Sequence, residues 1–161
     1  MSGSQMMLVI AGLVLMSLLA ININRVISSS DNQTNNSEYL AVATELGQNL
    51  LNKIESKSFD QGTVSNPVFN NSLLTPANSL GYETGETPAT YNDVDDYNYY
   101  TENDTTPRAG VFHLKVFVNY VDSTNANTVL TSSVSRTKRI QVNVASDYMK
   151  DTVKLYYYKS Y

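Results

Sequence analysis

Cysteine is absent from this chain of 161 residues. Structural disulfides, zinc–thiolate sites and cysteine nucleophiles are therefore excluded, although the absence says little about compartment. Histidine occurs once, at His113. A triad that needs a histidine beside a cysteine or a second histidine lacks its parts. His113 also falls on an outward strand position and reads as a surface residue. No glycine-rich phosphate loop is present, and acidic pairs in a flexible loop do not make a glycosidase without a cleft. The chain is not expected to be an enzyme. Charge is sparse as well, at 16% of residues, with a net charge of −4. The one basic cluster, Arg136-Thr137-Lys138-Arg139, reads as the solvated face of a strand. No nucleic-acid partner is expected, because phosphate binding needs a basic face. Finally, no charged side chain precedes Arg25.

What stands in that uncharged stretch is an apolar run from Met6 to Ile23, interrupted only by Gly12, Ser17 and Asn22. As a helix it would reach roughly 27 Å at about 1.5 Å per residue, close to a hydrocarbon core of about 30 Å. A cleavable secretory signal would carry a basic n-region and a small-x-small cleavage site, and the start has no Lys or Arg. A plain single-pass anchor and an assembly helix are the two remaining readings.

Behind this run the chain changes character three times. Residues 1–27 form the hydrophobic helix. Residues 28–57 begin with the polar run Ser28–Ser37 and continue with an amphipathic stripe of Leu40, Ala43, Leu46, Leu50, Leu51 and Ile54. A nearly continuous helix to about Lys57 is favoured, with the polar run as its weakest part; two helices with a true linker are the alternative. Residues 58–109 are rich in Asn, Thr, Ser, Gly and Pro and read as an irregular connection with short strands at most. Residues 110–161 are β. Leu114, Val116 and Val118 share one face of the first strand with Phe112 and Tyr120. Ile140, Val142 and Val144 share a face of the second, and Val153, Leu155 and Tyr157 of the third. The expectation is an α+β fold, a helix covering one face of an antiparallel meander.

The opening Met1-Ser2-Gly3-Ser4-Gln5-Met6-Met7, followed by the apolar helix, resembles the mature N-terminus of type IV pilins and pseudopilins. On that resemblance Met1 is the first mature residue, a basic leader having been removed. Two features of this start depart from the family. Gln5 occupies the place of a glutamate that looks like a counter-charge for a neighbour's N-terminal amine, and Asn22 and Asn24 stand where a helix-kinking proline is often found. Gly12 and the Asn22–Asn24 region are the candidates for a melted helix turn. Phe59-Asp60 and Tyr91-Asn92-Asp93-Val94-Asp95-Asp96-Tyr97 resemble segments that recur in a subset of these proteins. The family's C-terminal disulfide loop is missing.

The resemblance implies a subunit that waits in the inner membrane and then polymerises with copies of itself into an extracellular filament. A prepilin peptidase and pilus assembly machinery would be its further partners. Met1, Gln5, Met6, Leu8, Val9, Leu13, Leu15, Leu18 and Leu19 would form the assembly core. Leu40, Leu46, Leu50, Ile54, Leu114, Val116, Val118 and Val142 would pack helix on sheet. A minor pilin or pseudopilin at a tip or in a secretion system is one alternative, and a membrane-anchored binding domain that never polymerises is another. No cofactor is expected beyond a calcium candidate at Asp93, Asp95 and Asp96, oxygen ligands of the kind calcium takes, which has a parallel in pseudopilins that bind calcium in a late loop. The competing reading of this loop is a solvated turn capping the sheet. Twelve tyrosines divide between core filling and contact surfaces for adhesion or stacking.

Overall fold

The structure, a computed structural model, describes residues 2–107 and 109–161, with the side chains of residues 28–35 outside the description. Met1, expected at the assembly core, lies outside the described residues. The chain divides into two units, residues 1–38 and residues 39–161.

Helix α1 runs Gly3–Glu55. Its start is locally encoded: the Ser2 N–H donates to Gln5 Oε1 at 3.3 Å, and the amides of Gln5 and Met6 donate to Ser2 O. This is one half of a capping box, with the amide of Gln5 reaching back from the third helical position. Through the apolar run Leu, Met and Ala supply high helix propensity. Ser17, the polar interruption, donates its hydroxyl to Leu13 O at 2.8 Å and so satisfies itself within the helix. Gly12, Asn22–Asn24 and the run Ser28–Ser37 all have α-helical backbone. One continuous helix, rather than two helices with a linker, is thus what the backbone of this single chain adopts.

In the second unit the stripe on α1 covers an antiparallel sheet. Ala43, Leu50, Leu51 and Ile54 are buried in the main core, and Leu46 is half-buried against it. Leu40 is half-buried at the upper end of the stripe. Close approach is set by Gly47: a Cβ there would lie 2.6 Å from Leu155 Cδ1 and 3.1 Å from Val144 Cγ2. Only a residue without a side chain lets the helix lie this near the sheet.

The strands are β1 (Thr101–Thr106), β2 (Gly110–Val121), β3 (Val129–Leu130), β4 (Thr137–Ser146) and β5 (Val153–Ser160). The order is β1-β2-β4-β5, with β3 pairing β2 beside Tyr120 and Val121. Register places Leu114 opposite Val144, Val116 opposite Val142, and Val118 opposite Ile140. These inward residues are all buried, while Val153, Leu155 and Tyr157 on β5 are half-buried against the same core. The fold is α+β, as expected.

One boundary moves. The sheet begins at Thr101, inside the span read as an irregular connection, because β1 is the edge sequence TENDTT. All six residues are polar and exposed or half-exposed, so no period-2 apolar signal marks the strand.

Candidate functional site

Two features of the chain carry chemistry that a plain α+β domain does not need. The first is the surface of α1 in the N-terminal unit. Gly3–Ile27 is long and apolar enough to cross a membrane, and none of it is buried. At about 1.5 Å per residue it reaches roughly 38 Å. Every large apolar side chain from Met6 to Ile27 is at least 50% exposed, Leu8, Leu13, Leu15 and Leu19 included. The apolar residues go fully round the helix, which marks a segment whose stable environment is another apolar phase. Met6, Val9 and Leu18 are exposed in the same way. Gln5 has a local partner in the Ser2 N–H, as described above.

The second feature is a buried ionic node in the domain. It forms because the two acidic segments meet. Ser58 and Asp93 pair as a parallel bridge, through Ser58 N–H to Asn92 O and Val94 N–H to Ser58 O. Lys57 adds a bond from Nζ to Tyr91 O at 2.6 Å. The end of α1 is held from the other side by Lys159, whose Nζ donates to the carbonyls of Glu55 and Lys57. This satisfies acceptors that a helix terminus leaves open.

Into this junction β4 sends Lys138, wholly buried. The basic cluster is therefore not a solvated face: Arg136 is exposed and Arg139 half-buried, but Lys138 has the same strand parity as Ile140, Val142 and Val144 and points inward with them. Its ammonium donates to Phe59 O at 2.8 Å, Asp60 Oδ2 at 2.8 Å and Asp95 Oδ1 at 2.6 Å. All three donors are used. The same Nζ lies 4.4 Å from the Phe59 ring centroid and 4.8 Å from that of Tyr120, within cation–π range. Tyr120 sits opposite Lys138 in the ladder. Its hydroxyl donates towards Asp60 Oδ2 and Thr75 O, each at 2.9 Å.

Asp60 is saturated with donors, receiving the amides of Gly62 and Thr75 and the Thr75 hydroxyl besides Lys138 and Tyr120. Burial pushes its carboxyl up. The Lys138 charge and hydrogen bond, with the two amides, more than reverse this and hold it below the usual carboxylate range. Asp95 balances the other way: burial outweighs the shared Lys138 charge, and Asp93 pushes it further up. Tyr120 is driven far above the usual phenol range by burial and then by Asp60 and Asp95.

The remaining acids line the 83–96 loop. Asp93 Oδ1 accepts the amides of Asp95 and Asp96, and Asp96 Oδ2 accepts those of Asn92 and Asp93. Asp93, Asp95 and Asp96 are all fully buried, so the loop is not a solvated turn. They do not act as one ligand set. Asp95 turns to Lys138, whereas Asp96 joins Glu83 and Glu86, with one oxygen from each within 4.8 Å of the others. Glu86 accepts the Glu83 amide and the Asn92 side-chain amide. Glu83 is pushed to about 7 by burial first, then by contact with the Glu86 carboxyl and the charges of Asp93 and Asp96.

His113 lies exposed on β2 and bonds Asn103 across the β1–β2 pair at 2.8 Å, as its strand position predicts. The tyrosines divide. Tyr91, Tyr97 and Tyr120 fill the interior, and Tyr99, Tyr148, Tyr156, Tyr158 and Tyr161 are exposed. Sequence reasoning missed Lys138, Glu83 and Glu86. The parity of Lys138 with the apolar positions of β4 was the available signal for the first; nothing in the spacing of the glutamates marked the others. No family model, no curated protein and no solved structure matches the chain.

Proposed function

We propose that this chain is the structural subunit of a type IV pilus-like filament that polymerises through its N-terminal helix. The observation that carries the reading is the all-round apolar surface of Gly3–Ile27, uncovered and placed on the same helix, α1, that supplies the core stripe of an α+β domain. Each large apolar side chain that leaves water contributes about 1.5–3 kcal/mol. A membrane and a bundle of neighbouring helices both supply that environment, so a subunit can pass from one to the other without exposing the helix to water. Repeated head-to-tail contact of one copy with the next gives an open helical polymer. The unassembled subunit would reside in the inner membrane and the polymer outside the cell. The assembly machinery and a prepilin peptidase would be its further partners.

Gln5 bears on register. A glutamate at this place would bring a charge to pair with a neighbour's amine, whereas Gln5 is neutral and caps its own helix through Ser2. Alignment of copies would then rest on side-chain packing along the helix rather than on an ion pair. This difference also favours the second reading, a minor or tip subunit. A membrane-anchored domain that never polymerises is the reading from another class.

Imaging of purified native material separates them. Long filaments whose density is this chain throughout support the major-subunit reading, and detergent-dependent monomers refute it. Leu13→Arg sharpens the comparison, since Leu13 is 61% exposed on the apolar run. A charge at the centre of a packed bundle should abolish filaments, whereas a simple anchor should mainly lose membrane retention.

A further inference from the structure

The acids of the 83–96 loop face one another with too few donors between them. Asp96 is fully buried, and its Oδ2 is occupied by two amides while Oδ1 has no hydrogen-bond partner. Glu83 Oε2, Asn92 Oδ1 and Asp93 Oδ2 are likewise buried without a donor. Asp93 is fully buried too. Orphaned acceptors are costly inside a protein, and ionised ones more so. Lys138 does not answer this need, because its three donors go to Phe59, Asp60 and Asp95.

We propose that Glu83, Glu86 and Asp96 bind a hard divalent cation, calcium, with Asn92 Oδ1 as an additional oxygen. The donor set is oxygen only, which excludes the thiolate- and imidazole-seeking metals. Ligand oxygens within 4.8 Å of one another fit on a single ion, since oxygens on opposite sides of calcium lie about twice 2.4 Å apart. Calcium accepts six to eight oxygens in irregular array, whereas magnesium demands a near-ideal octahedron and keeps its waters. Carboxylates from Glu83, Glu86 and Asp96, joined by a neutral amide oxygen, suit the former.

The ion would do structural work at a defined place. Residues 83–86 form a turn closed by Glu86 N–H to Glu83 O, and Asp96 lies in the 3-10 turn Asp95–Tyr97 that packs under the sheet. One cation would tie the exposed loop to that buried turn. The proposal is independent of filament formation, so either can fail without the other.

The test uses the full chain in detergent, stripped with EDTA, at about pH 7.5, where carboxylate ligands are ionised. Calcium chloride or magnesium chloride is titrated while thermal unfolding is followed by the near-UV signal of the tyrosines. Calcium should raise the Tm saturably, and magnesium should raise it less. Glu83→Gln keeps the side-chain shape and removes no helix or turn cap. It should weaken the calcium response at least tenfold in concentration, a rough expectation for loss of one charged ligand, while Asp147→Asn on the exposed β4–β5 loop leaves it unchanged. A wild-type Tm that does not respond at about 10 mM calcium, above the weakest known class of calcium modules, overturns the proposal. So does a calcium response that Glu83→Gln retains in full.

Discussion

Lys138→Ala should be the most damaging single substitution in the domain. It removes three hydrogen bonds from a wholly buried ammonium, to Phe59 O, Asp60 Oδ2 and Asp95 Oδ1. It also leaves two buried carboxylates without their shared counter-charge and opens a cavity beside the Phe59 and Tyr120 rings. Breaking a buried ion pair from one side costs about 3–5 kcal/mol, because an uncompensated charge stays behind. The unit that unfolds spans residues 39–161. With about 2.1 cal/mol/K per residue, its unfolding entropy is roughly 0.25 kcal/mol/K, so the Tm should fall by about 12–20 °C. Near-UV circular dichroism in detergent measures this through the packed tyrosines. Lys138→Met retains the apolar stem and should lose nearly as much, which separates charge from packing. Adding Asp60→Asn and Asp95→Asn to Lys138→Met should restore part of the loss, because no charge is then stranded. The deficit of Lys138→Met should also shrink at low pH, where protons neutralise the stranded acids. A Tm change below about 4 °C, or a deficit independent of pH, would refute the claim that the ammonium holds the junction together.

Two further outcomes follow from the geometry. In EDTA the domain should lose stability as the pH rises through about 6–7, since Asp93 is pushed to about 6 by burial and then Asp96, and Glu83 to about 7 by burial and then Glu86. Both lie above their unfolded values, so the folded state holds more protons in this window and deprotonation favours unfolding. Urea midpoints across the range measure it, and a midpoint that rises there contradicts the assignment. Gly47→Leu should destabilise the domain by about 1–3 kcal/mol or more through overpacking. Val144 Cγ2 and Leu155 Cδ1 already stand at 3.1 and 2.6 Å from a Cβ placed there, so a longer side chain must displace both. A variant with unchanged denaturant midpoint would show that helix and sheet can separate freely.

The elements that the sequence made legible are those with strong periodicity. The apolar start shows as a run broken only by Gly12, Ser17 and Asn22, the helix face as the stripe from Leu40 to Ile54, and β2, β4 and β5 as period-2 alternation. β1 was hidden because an exposed edge strand needs no apolar face, so Thr101–Thr106 carries no alternation. The node was half legible. Phe59-Asp60 and Tyr91–Tyr97 stood out as segments, but their meeting depends on Lys138, and a lysine inside a basic cluster reads as solvent-facing until its strand parity is weighed. Periodicity speaks for apolar groups, whereas a buried charge is decided by partners that lie far away in sequence. Glu83 and Glu86 are distant from Lys138 for the same reason, brought to Asp96 by the fold of a loop whose composition signals only turns.

That separation in sequence also governs time. Lys138 joins residues 79, 78 and 43 positions away, so its bonds form only after long loops have closed. Interactions that arise after the folding barrier has been crossed leave the folding rate almost untouched and act on the rate of opening. The buried ammonium is then a brake on unfolding more than a guide to folding. A domain built this way reaches its native state slowly and, once there, leaves it rarely.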